Sequence, residues 1–170
     1  MTLREQILKE HSRSNCDKIV RWIGGNQQRF DELFQLFLND EYRVVQRAAW
    51  PVSNAVSEHP ALIQKHFGKL LKNLQKPGIH DAVKRNSVRL LQEVDIPKKY
   101  QGAVMDICFN YIASPTEAVA IKAFSLTVVQ QLSAQYPEII PEIKLLIEEN
   151  YERETAAFKA RAKMVLKKLK

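Results

Sequence analysis

The side chains best able to perform metal or acid–base chemistry are scattered along this sequence rather than grouped. The 4 histidines and 2 cysteines lack partners at the spacings that place two metal ligands on one face of a helix. They are His11, His59, His66, His80, Cys16 and Cys108. No Gly-x-Ser-x-Gly motif for a serine nucleophile occurs either. We therefore expect no metal ion, no cofactor and no catalytic residue, and an enzymatic activity is the less favoured interpretation.

A different set of side chains recurs at nearly regular intervals and is suited to binding. Four bases follow one another after 38, 37 and 39 residues: Arg47, Arg85, Lys122 and Arg161. Arg21 precedes this series, and two tryptophans lie near its beginning. The candidate partner-binding residues are therefore Arg21, Trp22, Arg47, Trp50, Arg85, Lys122 and Arg161. These bases predict either a column that grips an acidic peptide or an internal ladder in which each base pairs with an acid of an adjacent repeat.

The bases of this series lie in stretches whose apolar residues have the period of a helix. In the stretch 40–57 the steps between apolar residues are three, four, three and four, which place these residues on one helical face. They are Tyr42, Val45, Ala49, Val52 and Val56. Asp40 precedes this helix and is predicted to cap it. Pro51 lies inside the helix and predicts a bend there.

An apolar helix precedes each of these stretches, and the short joins make successive helices antiparallel neighbours. Three of the preceding helices begin at a proline, which the first position of a helix tolerates: Pro60, Pro97 and Pro137. The sequence therefore predicts an all-α fold of about ten antiparallel helices in a single domain, residues 1–170. An N-terminal helix pair at 2–25 closes the array, and the repeats then cover 27–58, 60–94, 97–135 and 137–169.

The repeated helix pairs resemble the HEAT/armadillo-like family of helical repeats over nearly the whole chain. Asp40 and Arg47 match the turn aspartate and the second-helix arginine of that family best. Looser matches are Asp81 with Arg85, Glu117 with Lys122, and Glu154 with Arg161. Pro51 departs from the pattern, because the kink proline of the family normally lies in the first helix. The resemblance implies a right-handed α–α superhelix (a HEAT/ARM-like solenoid) with one concave face.

The formal net charge of +7 is concentrated at the C-terminal end of the sequence. Residues 151–170 hold 7 basic and 2 acidic side chains, a net of +5, which leaves +2 for the other residues. Net charge alone therefore does not predict a nucleic-acid-binding protein. No apolar run is long enough to span a membrane. Two isolated cysteines without a secretory signal predict a cytoplasmic protein.

Two functions from different classes follow from these features. The favoured one is a non-catalytic scaffold that binds a protein or an acidic peptide along its concave face. The alternative is nucleic-acid binding, in which the basic column contacts phosphates and the tryptophans stack on bases. Some HEAT-like proteins are DNA alkylation repair glycosylases that hold an aspartate between tryptophans in a basic groove, and Trp22 and Trp50 are similar in kind. Asp17 and Asp40, however, are better explained as residues at helix starts.

Overall fold

The computed structural model describes residues 1–169 and contains helices and no strands over that range. Its ten α-helices within these residues confirm the predicted all-α fold of about ten antiparallel helices. They are α1 Leu3–Lys9, α2 Arg13–Ile23, α3 Gln27–Asn39, α4 Tyr42–Glu58, α5 Phe67–Leu74, α6 Asp81–Leu91, α7 Lys98–Ala113, α8 Val119–Leu132, α9 Ile140–Tyr151 and α10 Ala156–Lys168. Short 3-10 helices at Pro60–His66 and Pro137–Ile139 lead into α5 and α9. Each of these begins at a proline, because the first helical position needs no backbone N–H donor.

Residues Met1–Asp95 form one compact unit in which α4 is the central helix. It packs against α1, α2, α3 and α6. The middle of α4 carries fully buried small side chains, Ala48 and Ala49, and small side chains let neighbouring helix axes approach closely. On the facing helix α3, three large aromatic side chains fill the core: Phe30, Phe34 and Phe37. Small residues on one helix and large ones on the next thus give the close-packed interior that folding requires.

The start of α4 differs from the sequence prediction. The prediction that Asp40 caps this helix is wrong, because Glu41 is the N-cap residue and no side chain caps α4. Asp40 instead accepts the backbone N–H of Glu41 at 2.7 Å and forms an ion pair with Arg4 at 3.0 Å. The carboxylate therefore ties the beginning of α4 to α1. Further along, α4 continues through Pro51, and the bend at this residue stays a prediction.

A second compact unit starts at Ile96, and within it α8 has the central position. α8 packs against α7 on one side and α10 on another, with α9 as a further neighbour. Its side chains Leu126 and Val129 are completely buried, as is Phe158 of α10. In each unit, one second helix of a pair (α4 or α8) is thus surrounded by other helices of that unit. The single repeat domain over 1–170 stays a prediction.

Glutamines in the first half of three successive helix pairs bond to groups about one repeat further along the chain. Gln27 Nε2 donates to the carbonyl oxygen of Leu62 at 3.0 Å, 35 residues on. Gln64 Nε2 donates to the carbonyl oxygen of Asp95 at 3.0 Å, 31 residues on. Gln101 Nε2 donates to the side-chain oxygen of Gln135 at 3.2 Å, 34 residues on. These bonds fix the register between the start of one pair and the start of the next.

Asp31 on α3 gathers a polar cluster at the edge of this core. Its carboxylate lies 2.7 Å from Lys65 Nζ and 2.6 Å from His66 Nε2, and accepts a bond from Gln27 Nε2 at 2.8 Å. The His66 ring is buried and stacks on Phe34 with the centroids 4.5 Å apart. Burial opposes ionisation of Asp31, but hydrogen bonds from Lys65, Gln27 and His66 outweigh it and lower the pKa of this carboxyl to about 2.

Replacement of Asp31 by asparagine tests this cluster. We expect Asp31→Asn to lower the free energy of unfolding by about 2 kcal/mol at neutral pH. The folded pKa is lower than the unfolded value of about 4, so the stabilisation is complete above that value. It is lost as the pH falls towards about 2. Urea unfolding across this pH range provides the measurement, with the exposed neighbour Glu32→Gln as control. An equal loss of stability at every pH would contradict the assignment.

Candidate binding face on the second helices

The structure separates the seven predicted binding residues by their exposure to solvent. Arg21, Trp22 and Arg85 are exposed, whereas Arg47, Trp50 and Arg161 are half-buried and Lys122 is buried. Five of the seven belong to the first unit: Arg21, Trp22, Arg47, Trp50 and Arg85. The other two belong to the second unit, and both contact groups of neighbouring helices there.

Lys122 is the residue for which the prediction of a partner contact needs correction. Its side chain is 3% exposed and forms an ion pair with Glu154, which immediately precedes Thr155, the N-cap residue of α10. Lys122 Nζ also donates to the carbonyl oxygen of Ser114 at 3.0 Å and lies 5.6 Å from the ring centre of Phe158. Because its charge is compensated inside the protein, Lys122 behaves as a rung of the internal ladder and cannot reach a partner.

Arg161 on α10 also connects neighbouring helices of the second unit. Its Nη1 donates to Thr127 Oγ1 on α8 at 2.7 Å, and its guanidinium lies 5.6 Å from the ring centre of Phe124. The cationic group therefore covers an aromatic ring of α8. We conclude that Arg161 positions α10 against α8.

The buried pair makes a prediction for the stability of the second unit. Lys122→Met should lower the free energy of unfolding by about 3 kcal/mol, because the Glu154 carboxylate, 13% exposed, loses its partner. The double change Lys122→Met with Glu154→Gln should recover most of that loss, since no uncompensated charge remains. Denaturant unfolding measures both effects, and Lys163→Met on the exposed side of α10 is the control. A double variant as unstable as the single one would refute this account.

Two contacts between α4 and α6 define how these helices lie side by side. The rings of Tyr42 and His80 meet edge-on with centroids 5.1 Å apart. Further along, Arg89 Nη1 donates to Asn54 Oδ1 at 2.7 Å. The two pairs occur in the same order along both helices, so α4 and α6 run parallel with an offset of 35 to 38 residues. This register places Arg85 alongside the middle of α4, between the levels of Arg47 and Trp50.

We define the arginine face as Arg43, Arg47, Trp50, Arg85 and Arg89. The first three follow one another at helical spacing on one side of α4, and the last two are one turn apart on α6. Trp50 lies about one turn after Arg47 and one turn before Asn54, which accepts a bond from Arg89. Its ring also meets the ring of His11 edge-on, with centroids 6.0 Å apart. The face thus combines a half-buried indole with guanidinium groups on both helices.

The arginines of this face keep an uncompensated positive charge. Arg47 Nη1 donates to the carbonyl oxygen of Leu8 at 2.9 Å, and Arg89 donates to neutral side chains of α4. Among residues 1–169, no carboxylate forms an ion pair with any of the four arginines. Glu10 lines a small cavity together with Arg47 but lies beyond ion-pair distance, and Glu41 pairs with Arg4 instead.

Trp22 has different surroundings from Trp50. Its side chain is 40% exposed, and the Arg29 guanidinium lies 5.0 Å from the ring centre while donating to the Trp22 carbonyl oxygen at 2.6 Å. Trp22 also lines a cavity of about 280 Å³ between α1 and α2, together with Leu3 and Ile19. The two tryptophans therefore do not form one site. The aspartates considered for a site between them, Asp17 and Asp40, form ion pairs with Arg13 and Arg4.

Comparison with known protein families agrees with this arrangement of helix pairs. The family model of the HEAT repeat domain matches residues 3–169. The chain belongs to the HEAT repeat family. No curated protein and no solved structure shows a significant match. Membership explains why second helices lie side by side, since each HEAT repeat stacks on the next. The predicted α–α repeat fold is thereby confirmed.

Arg43 and Arg89 are residues of this HEAT repeat chain that the sequence reasoning missed. The predicted column has one base in each repeat, whereas α4 and α6 each carry two arginines four residues apart. This spacing is visible in the sequence and places both guanidiniums on the same side of a helix. Applied to α4 and α6, it would have found the complete arginine face.

The two cysteines are buried, and the possible metal ligands of the described residues do not gather in groups of three or more. Cys16 and Cys108 are free and buried, and burial raises the pKa of each thiol to about 12. No group of three or more His, Cys, Asp or Glu side chains is close enough to share a metal ion within residues 1–169. In the same range, no helix combines the length and hydropathy needed to cross a membrane.

The burial of the thiols predicts their reactivity. In the native protein neither of the 2 cysteines should react with a thiol reagent such as DTNB, because the thiolate is suppressed and the sulfur is shielded. Both should react at once in guanidinium chloride. The variants Cys16→Ser and Cys108→Ser assign the reaction to one residue. Fast labelling of either thiol in the native state would contradict this prediction.

Proposed function

We propose that this HEAT repeat protein is a non-catalytic scaffold that binds an acidic segment of a protein partner across the arginine face. One observation carries the proposal: α4, which carries Trp50, and its parallel neighbour α6 hold four arginines, and no described carboxylate forms an ion pair with any of them. Uncompensated like charges on adjacent helices repel one another, and a bound acidic segment relieves that repulsion. The same charge would steer such a segment towards the face.

The residue types on the arginine face favour a protein ligand. Arginine and tryptophan are the side chains that most often dominate the binding energy of protein interfaces. A guanidinium fork matches the two oxygens of a carboxylate, and the indole offers a flat apolar surface for a neighbouring side chain. We therefore expect the bound segment to combine acidic residues with one apolar residue that packs on Trp50. Both cysteines are free thiols, which supports our proposal of a cytoplasmic protein.

Nucleic-acid binding remains the alternative because α10 exposes several lysines: Lys163, Lys167 and Lys168. A phosphate backbone needs cations at successive positions along the surface. Helix α8, however, carries Lys122 as its only charged residue, and that residue is buried and paired. The second helices thus lack a run of exposed bases, which supports the protein ligand over the nucleic acid.

Selection of peptides from a random display library tests the proposed function. Peptides that bind the native protein should be enriched in Asp and Glu around an apolar residue, and should lose about tenfold or more in affinity for Arg47→Glu with Arg85→Glu. The matched control is Lys69→Glu with Lys72→Glu, which makes the same charge change at exposed positions of α5. This control should bind the selected peptides nearly as well as the native protein.

Labelled duplex and single-stranded DNA provide the contrasting measurement. We expect weak DNA binding that the two arginine substitutions leave almost unchanged. Tight DNA binding that falls steeply with salt and disappears in Arg47→Glu with Arg85→Glu would support the alternative function. Failure of the display selection to enrich acidic peptides would overturn the proposal.

A further inference from the structure

We propose that the segment bound to the arginine face is phosphorylated, with one phosphoserine or phosphothreonine held beside Trp50 by Arg85 and Arg89. This inference rests on the proposed function and deepens it by naming the anion. The sites and charges that support it all belong to the first unit.

Two guanidiniums of the arginine face, those of Arg47 and Arg89, are already held in place by neutral groups. Arg47 is fixed by one bond from Nη1 to the carbonyl oxygen of Leu8. Arg89 is fixed by bonds from Nη1 to Asn54 Oδ1 at 2.7 Å and Ser53 Oγ at 3.2 Å. A guanidinium has five N–H donors, and the bonds of Arg47 and Arg89 occupy only Nη1. The other donors, and the full positive charge, are therefore available to a ligand without much ordering cost.

Asn54 orients Arg89 because it is itself held by α2. Its Nδ2 donates to Cys16 Sγ at 3.7 Å, so its Oδ1 points to the guanidinium on α6. Asn54 follows Trp50 by one helical turn, and Arg47 precedes Trp50 by nearly one turn. The two fixed guanidiniums thus lie on either side of the indole along α4. Arg85 is exposed and lies one turn before Arg89 on the same side of α6.

The number of charges favours a phosphate over a carboxylate. One carboxylate carries a single negative charge and accepts one guanidinium fork well. A phosphate ester carries about −1.5 to −2 charges at neutral pH and three acceptor oxygens, so one side chain can bind several guanidiniums together. A carboxylate ligand would need several acidic residues in register to give the same neutralisation. Two arginines one turn apart on α6, Arg85 and Arg89, therefore fit a single, compact and doubly charged group.

The choice of base also points to phosphate recognition. Helices α4 and α6 carry four arginines and one lysine, whereas the bases of α5 are both lysines. Arginine presents a planar fork that matches phosphate oxygens, and lysine presents a flexible point charge. A face that served only general electrostatic attraction would not need arginine in preference to lysine. The arginine face is also confined to two helices, which suits one phosphorylated residue of a protein rather than a polynucleotide chain.

The test compares three forms of the same peptide. Peptides are first selected from libraries with a fixed central phosphoserine or glutamate, and each selected peptide is then made with phosphoserine, glutamate or serine at that position. Isothermal titration against the full chain measures affinity. We expect the phosphoserine form to bind about tenfold or more tightly than the glutamate form, and the serine form to bind weakest.

Conservative substitutions test the role of the forks. Arg89→Lys and Arg85→Lys keep the charge but remove the fork, and each should weaken binding of the phosphoserine form about tenfold. Arg85 has no bonded partner among the described residues, so Arg85→Lys leaves the Asn54 contact intact and is not expected to affect folding. Arg13→Lys, at an exposed position of α2 outside the arginine face, is the matched control and should change the affinity little.

The outcomes separate this inference from the proposed function. Equal affinity for the phosphoserine and glutamate forms would overturn the phosphate inference while the acidic-segment scaffold stands. Binding of neither form would overturn both. Displacement of the phosphoserine peptide by low concentrations of DNA or RNA would assign the site to nucleic acid and would also overturn the inference.

Discussion

The close packing of α4 is the constraint on which the first unit depends. Its fully buried alanines, Ala48 and Ala49, leave room for four other helices to pack around it. A larger side chain at either position would force those helices apart, since interiors are already close-packed. The same packing turns the opposite side of α4 outwards and aligns it with α6. The arginine face therefore exists because small residues occupy the middle of α4.

The helices and their pairing were largely predictable from the sequence, because apolar residues follow the helical period and prolines precede three pairs. The exposure and the bonding partners of individual basic side chains were less predictable. Lys122 and Arg85 have similar sequence contexts, yet the first is buried against Glu154 and the second is exposed. The difference depends on whether an acid from the next helix reaches the base. That proximity is a property of the folded chain and has no local signal.

The bases of the two units differ in the groups that hold them. In the second unit Lys122 forms an ion pair with Glu154, and Arg161 donates a hydrogen bond to the Thr127 hydroxyl on α8. In the first unit Arg47 and Arg89 are anchored by neutral oxygens and keep their charge. A base that bonds to a carbonyl or an amide gains a fixed position without losing its attraction for anions. The same repeated residue type thus connects helices in one unit and keeps its positive charge in the other.

The glutamine bonds between successive pairs have a consequence for how such a chain can change length. Gln27, Gln64 and Gln101 each bond to a group between 31 and 35 residues later. Duplication or loss of one whole pair would return every glutamine to an equivalent acceptor. Insertion or deletion of a few residues within a helix pair would place the glutamine Nε2 opposite a group other than its present acceptor. Evolutionary drift in length is therefore expected in whole repeats, with smaller insertions confined to turns outside this spacing.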